Sequence, residues 1–89
     1  MNKKKYLFKN EADYLLMGTT PMNLEKVKEF FKRLLYLKEL NDVYFVKDEE
    51  SEYFHVYRKE DKKELNFVVA PHSQYRYGVY GRKQSTAGI

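Results

Sequence analysis

The chain has no cysteine and no tryptophan, and only four glycines and two prolines among its 89 residues. Without cysteine it can form no disulfide framework and no thiolate metal site, and it has no cysteine nucleophile. No uncharged apolar run approaches the ~20 residues that a membrane-spanning helix needs. The start of the chain is basic, but the apolar stretch that follows is too short for a signal peptide. These absences favour a small globular protein in the cytoplasm.

Length and composition predict a single domain over residues 1–89, with flexible ends at 1–5 and 85–89. Apolar residues make up 43% of the chain and charged residues 34%, which is typical of a folded protein. Because a chain of this size buries a limited share of its surface, its nine tyrosines and six phenylalanines must form much of the core.

Charge is distributed unevenly along the chain. Residues 1–9 carry four lysines and no acid, and residues 72–89 carry two arginines, one lysine and no acid. The segment between them carries ten basic and thirteen acidic residues, a net charge of −3. Basic ends are typical of an anionic partner, but they also serve simply to keep a small protein in solution.

One amphipathic helix is predicted over residues 22–40. At 100° per residue its apolar side chains share one arc and most of its charged side chains the opposite arc. The apolar arc contains Leu24, Val27, Phe30, Phe31, Leu34, Leu35 and Leu37. Thr20 and Pro21 resemble a helix entry, and Asn23 is a second candidate cap. Residues 10–17 are compatible with a short helix or, alternatively, with a strand over 14–17.

Beyond the helix the apolar period changes to two, which predicts strands at 43–47, 53–59, 64–70 and 75–80. Their short connections favour an antiparallel meander. The predicted fold class is therefore α+β. One long helix, with or without a short helix before it, packs on one face of a three- or four-stranded antiparallel sheet.

The register of the middle hairpin is predicted from its loop. A loop at residues 60–63 pairs Lys59 with Glu64, so phenylalanine and aliphatic side chains share one face and tyrosines the other. Extending this register to the first strand puts Phe45 beside His55, on the tyrosine face. For the last strand two alternatives remain, in which either Tyr77 or Tyr80 faces the helix.

One helix covers only one face of such a sheet, which leaves the other face for a partner. The predicted partner-binding residues are Phe45, Tyr53, His55, Tyr57, Tyr75, Tyr77 and Tyr80.

No motif in the sequence indicates catalysis, a metal site or a cofactor. Only two histidines are available as bases: His55 lies mid-strand among tyrosines, and His72 lies in a turn sequence. The acidic residues of segment 48–52 lack the spacing and the glycine of a calcium loop. No glycine-rich loop opens a helix to bind phosphate. We therefore expect no enzyme, no small-molecule substrate and no membrane partner.

Two functions remain. The first is binding of a protein partner, as an inhibitor, an adaptor or the subunit of a homo-oligomer such as a homodimer, through the tyrosine-rich face. The alternative is nucleic-acid binding, with the same tyrosines stacking on bases and the basic ends contacting phosphates. The predicted contacts to an anionic partner are Arg58, Lys59, Arg76, Arg82 and Lys83. The negative charge of segment 10–71 favours the protein partner.

Overall fold

A computed structural model describes Phe8 and residues 10–83, so the flexible ends predicted at 1–5 and 85–89 lie outside it. One α-helix packs on a five-stranded antiparallel sheet, which confirms the α+β class but adds a strand to the prediction. The elements are β1 (Tyr14–Pro21), α1 (Leu24–Leu34), β2 (Val43–Lys47), β3 (Phe54–Arg58), β4 (Glu64–Ser73) and β5 (Arg76–Arg82), with 3-10 turns at Glu11–Asp13 and Leu40–Asp42. The strand order is β1-β5-β4-β3-β2. No helix in the described part of the chain is long and apolar enough to cross a membrane.

The fifth strand is β1. Of the two alternatives for residues 10–17, the short helix is wrong and the strand over 14–17 is confirmed, extended to Pro21. Only a single 3-10 turn precedes the strand. β1 pairs with β5 from Tyr14 opposite Arg82 to Pro21 opposite Arg76. Thr20 therefore ends a strand rather than opening a helix. Local helix signals were overridden by pairing with a strand more than fifty residues away, which no local pattern reveals.

α1 is shorter than predicted, with 11 residues. Asn23 is its N-cap, because the Asn23 side chain accepts a hydrogen bond from the backbone N–H of Glu25 at 2.8 Å. The helix stops where Tyr36 adopts a left-handed conformation with φ of 56°. The N–H of Leu37 then donates to the carbonyl of Lys32 at 2.9 Å, which closes the helix end. This early stop returns the chain to the sheet.

β2 pairs with β3 one residue away from the predicted register, with Phe45 opposite Val56 rather than beside His55. The connecting loop sets this register, because the N–H of Asp48 donates to the carbonyl of Tyr53 at 2.8 Å. A shift of one residue moves every side chain of a strand to the other face. Phe45 therefore faces the helix, and its prediction as a partner-facing residue is wrong.

The β3–β4 register is confirmed at one end of the hairpin and shifted at the other. The confirmed pairs are Phe54 with Val69 and His55 with Val68. Nearer the turn, Tyr57 pairs with Glu64 and not with Asn66, because β4 bulges between the two regions. The shift amounts to two residues, so the predicted faces of the two strands are retained.

The turn explains this shift. The N–H of Arg58 donates to the carbonyl of Lys63 at 2.9 Å, which starts the turn one residue earlier than predicted. The Arg58 guanidinium also holds the Asp61 carboxylate through two hydrogen bonds, of 3.1 and 2.7 Å. Lys62, directly after Asp61 in this turn, adopts a positive φ of 58°.

The main core lies between α1 and the sheet. Phe31 is fully buried at its centre, with ring centroids 6.0 Å from Phe45 and 5.3 Å from Phe67. Of the two alternatives for β5, the structure has Tyr77 on the helix side, where its ring meets the ring of Phe54 edge to face at 6.0 Å. Tyr77 therefore packs in this core, and its prediction as a partner-facing residue is wrong.

Candidate protein-binding surfaces

The sheet face away from α1 is half covered, whereas the sequence predicted it to be open. Phe8 packs on it with ring centroids 5.2 Å from Tyr14, 5.6 Å from Tyr53 and 5.1 Å from Tyr80. Tyr53 and Tyr80 are consequently buried, with 6% and 7% of their surface exposed. Together with Val68 and Ala70 they form a second, smaller core. Neither tyrosine is accessible to a partner in this arrangement.

The other half of this face remains accessible. Its side chains come from β2 and β3: Tyr44, Val46, His55 and Tyr57. Tyr44 and Tyr57 are a cross-strand pair whose rings stack at 5.4 Å with an angle of 13° between them. Val46 is 43% exposed. Tyr75, the remaining predicted contact, is 73% exposed and lies in the β4–β5 turn, away from this group.

A cleft of about 400 Å³ opens beside these side chains, between the β2–β3 loop and β3. Its lining residues are Val46, Lys47, Asp48, Glu49, Glu50, Ser51, Tyr53, His55 and Tyr57. His55 lies between two carboxylates: its Nε2 is 2.8 Å from Oδ1 of Asp48, and its Nδ1 is 2.9 Å from Oε2 of Glu64. The sequence identified His55 but not its partners, since Glu64 approaches only through the shifted register.

This cluster stabilises the charged forms of His55 and Asp48 and the neutral form of Tyr53. Desolvation lowers the pKa of His55, but hydrogen bonds to Asp48 and Glu64 outweigh it, so the pKa is raised above 6.5. The hydrogen bond from His55 and the backbone N–H of Glu50 lower the pKa of Asp48 to about 2. Burial, together with the neighbouring Asp48 carboxylate, raises the pKa of Tyr53 to about 12. Asp48 is therefore ionised near neutral pH, and the imidazole of His55 lies between its carboxylate and that of Glu64.

The arrangement suits binding better than catalysis. Both ring nitrogens of His55 are held by carboxylates, so neither is free to take a proton from a bound molecule. Within the described residues, no group of three or more His, Cys, Asp or Glu side chains is placed to hold a metal ion. The acidic lining also repels phosphate from the very tyrosines that base stacking would need.

The predicted contacts to an anionic partner do not form one patch. Arg58 is paired with Asp61, and its neighbour Lys59 lies in the β3–β4 turn. Arg76 and Arg82 lie at opposite ends of β5, six residue steps or roughly 20 Å apart. Lys83 directly follows Arg82 in the chain, at the end of β5 far from Arg76. The basic residues before Phe8 and Lys9 itself lie outside the described part of the chain.

The most distinctive exposed surface is the strand β1, whose position at the edge of the sheet the sequence did not predict. No described strand pairs with its outer side. Its eight residues include no charged side chain. Leu15, Leu16 and Met17 are 57%, 45% and 47% exposed. We call these three residues the β1 edge patch. The signal was present as an uncharged Leu-Leu-Met run, for which helix and strand both stayed open.

The β1 edge patch extends onto both faces of the sheet. Leu15 and Met17 line a cleft of about 350 Å³ on the helix side, together with Phe67 and Gly81, which α1 leaves uncovered. Strand alternation puts Leu16 on the opposite face. The patch thus combines exposed apolar side chains with an unpaired main-chain edge.

The other edge of the sheet, β2, differs in the features that discourage pairing. It has only five residues, ends in Lys47 and is followed directly by the ionised Asp48. Short length and charge are the usual protection of an edge strand against another chain. β1 is longer and carries no charged side chain, although a bulge at Met17 interrupts its pairing with β5, so the two edges are not equivalent.

Comparison with known proteins gives no match to this chain, whether with protein-family models, with curated proteins or with solved structures. The geometry of the β1 edge and of the two sheet faces is therefore what indicates a function.

Proposed function

We propose that the chain is a non-catalytic protein-binding module that binds a polypeptide along β1. The observation that supports this most directly is the exposed, uncharged edge strand with Leu15, Leu16 and Met17 at its surface. An edge strand offers a row of main-chain donors and acceptors, and an added strand satisfies them while apolar side chains are buried on both faces. Contiguous exposed apolar residues on a small protein are typical of an interaction site.

The tyrosine-rich face contributes less to this proposal than the sequence suggested. Its accessible half, around Tyr44 and Tyr57, lies on β2 and β3, at the opposite side of the sheet from β1. Three strands separate β1 from β2, a span of roughly 19 Å. A polypeptide paired with β1 therefore does not reach the stacked tyrosines. Nucleic-acid binding is less favoured, since those tyrosines adjoin the acidic cleft.

Site-specific photo-crosslinking tests the proposal. p-Benzoylphenylalanine, a photo-crosslinking amino acid, is placed at Leu16 in the β1 edge patch. In a control it is placed at Tyr36, which is 92% exposed in the turn after α1. Both proteins are irradiated in cells that produce the chain, and adducts are identified by mass spectrometry.

We expect a discrete polypeptide adduct from position 16 and none from position 36. Equal labelling at both positions, or none at position 16, contradicts docking along β1. An adduct that is removed by nuclease supports the nucleic-acid alternative instead.

A further inference from the structure

We propose that the accessible half of the sheet face away from α1 binds a polypeptide segment that carries lysine or arginine side chains. This half is formed by Tyr44, Val46, His55 and Tyr57, and we call it the open face. The half of the sheet that Phe8 covers separates it from β1, so binding there does not depend on the proposed pairing along β1. Three features support it: unpaired negative charge, exposed apolar side chains and the length of the open face.

The negative charge beside the open face exceeds what the neighbouring basic groups neutralise. Two basic side chains line the cleft, and both already have acidic partners. Nζ of Lys47 lies 3.7 Å from Oε2 of Glu52, and His55 lies between two carboxylates. Glu49 and Glu50 also line the cleft, are exposed, and make no ion pair with any described residue. A cationic partner therefore has the charge that complements this surface.

The open face also offers apolar surface for the stem of a basic side chain. Val46 is 43% exposed, and the stacked rings of Tyr44 and Tyr57 are only partly buried. Lysine and arginine lay their methylene stems on apolar surface while their charged ends stay in a polar environment. A cation within roughly 6 Å of the centre of a tyrosine ring is attracted to the ring as well. Carboxylates alone attract any cation, whereas this combination favours a side chain with both a stem and a charge.

The length of the open face favours a polypeptide over a single amino acid. From Tyr44 to Asp48 the chain advances four residue steps, a distance of roughly 13 Å. One basic side chain covers only part of this distance, whereas an extended segment of a few residues spans it. Because β2 is short and ends in Lys47, the segment lies across the open face rather than pairing with the β2 edge.

Fluorescence anisotropy with the purified chain and a labelled peptide of alternating arginine and valine tests the inference. In the control peptide citrulline replaces arginine, which keeps the shape of the side chain without its charge. We expect the arginine peptide to bind at least roughly tenfold more tightly than the control, and to weaken as salt is added. Equal affinities, or no binding of the arginine peptide at low salt, overturn the inference.

A pair of double variants tests the role of the unpaired carboxylates. Glu49→Gln with Glu50→Gln removes their charge and nearly retains their shape, and we expect the arginine peptide to bind roughly tenfold more weakly. Glu25→Gln with Glu29→Gln makes the same change of net charge on α1, in the other layer of the molecule, and changes the affinity by less than about twofold. Equal losses in the two double variants would show attraction by net charge alone and contradict the site.

Nuclear magnetic resonance locates the bound peptide. We expect the backbone amide signals of Val46 and Tyr57 to shift as the arginine peptide is added, while that of Leu16 in the β1 edge patch stays in place. Shifts confined to β1 overturn the inference. The crosslinking experiment at position 16 reports on β1 alone, so the two proposals fail independently.

Other cationic occupants are distinguished by two further measurements. Spermine, a polyamine without a peptide backbone, is added as a competitor, and displacement of the arginine peptide at equal concentration would indicate a surface for small cations instead. Replacement of Lys3, Lys4 and Lys5 by glutamine leaves the affinity unchanged if the partner is a separate polypeptide. A gain of roughly tenfold or more in that variant assigns the open face to the chain's own basic segment and overturns the proposal.

Discussion

His55 connects two segments that are separate in sequence. Asp48 begins the loop after β2, Glu64 is the first residue of β4, and the imidazole of His55 lies between them on β3. The same Asp48 carboxylate accepts hydrogen bonds from the N–H groups of Glu50 and Ser51 at 3.0 and 3.1 Å. The Asp48 carboxylate therefore anchors the β2–β3 loop to His55 on the sheet.

The stability of this anchor depends on pH. The pKa of His55 is raised above 6.5 in the folded chain, so its contribution is complete below about pH 6.5 and is lost as pH rises through the folded value. The pKa of Asp48 is lowered to about 2 from 3.8, so its contribution is present above pH 3.8 and is lost as pH falls toward 2. The anchor is strongest between these limits.

We expect His55→Gln to destabilise the chain more at about pH 5.5 than at about pH 8.5. The measurement is the midpoint of thermal unfolding by circular dichroism, for variant and wild type at each pH. His72→Gln is the control, because His72 is exposed and contacts no carboxylate in the described part of the chain. A wild-type-minus-variant difference that is constant or grows with pH contradicts the charged His55.

At the scale of the elements, the end of α1 combines an unfavourable backbone conformation at Tyr36 with favourable contacts of Leu37. Tyr36 has a left-handed conformation that costs a side chain with a Cβ roughly 1–2 kcal/mol. Its side chain is 92% exposed, so its packing contacts offset little of this conformational energy. The conformation persists because Leu37 packs against the main core and its N–H closes the helix.

We expect Tyr36→Gly to raise the free energy of unfolding by about 0.5–1 kcal/mol, after allowance for the greater freedom of glycine in the unfolded chain. Urea denaturation followed by circular dichroism measures this change. Tyr36→Ala is the matched control, since alanine removes the same ring but keeps the Cβ and gains nothing. Equal effects of the two variants would show that the ring, not the backbone conformation, sets the energy.

The elements also show what local sequence patterns convey. The centre of α1 and the four strands β2 to β5 were predicted because their apolar periods of 3.6 and two are properties of neighbouring residues. The first strand stayed an open alternative to a short helix, because its identity as a strand depends on β5 at the far end of the chain. The facing of Phe45 was wrong because one loop hydrogen bond, from Asp48 to Tyr53, sets the β2 register.

In the candidate sites, too, the sequence predicted what depends on neighbouring residues and missed what depends on distant strand pairing. His55 was identified from its position, but its partner Glu64 was not, since a bulge in β4 is needed to bring it close. The exposure of Leu16 could not be inferred before β1 was known to be an edge strand.

At the scale of the whole molecule, the sheet separates two cores of unequal size. α1 covers one face, and on the other face Phe8 closes a cluster of mainly aromatic side chains. Phe8 is 3% exposed and contacts the rings of Tyr14, Tyr53 and Tyr80. Because the domain is small, this second core contributes a substantial share of its stability.

We expect Phe8→Ala to lower the free energy of unfolding by about 3–4 kcal/mol, because it opens a cavity among these rings. Phe8→Leu retains most of the volume and costs less. Urea denaturation of both variants measures the difference. A nearly neutral Phe8→Ala would mean that the face away from α1 is not packed in solution.

The two-residue offset in the β3–β4 hairpin has a consequence for how the chain tolerates changes in length. Strands alternate their faces with a period of two, so an offset of two exchanges pairing partners without turning any side chain over. Insertions or deletions of an even number of residues beside this turn preserve both layers, whereas a single-residue change inverts one arm. Residues added at the tip itself only lengthen the turn, so a peptide tag of any length inserted there leaves the pairing of both arms unchanged.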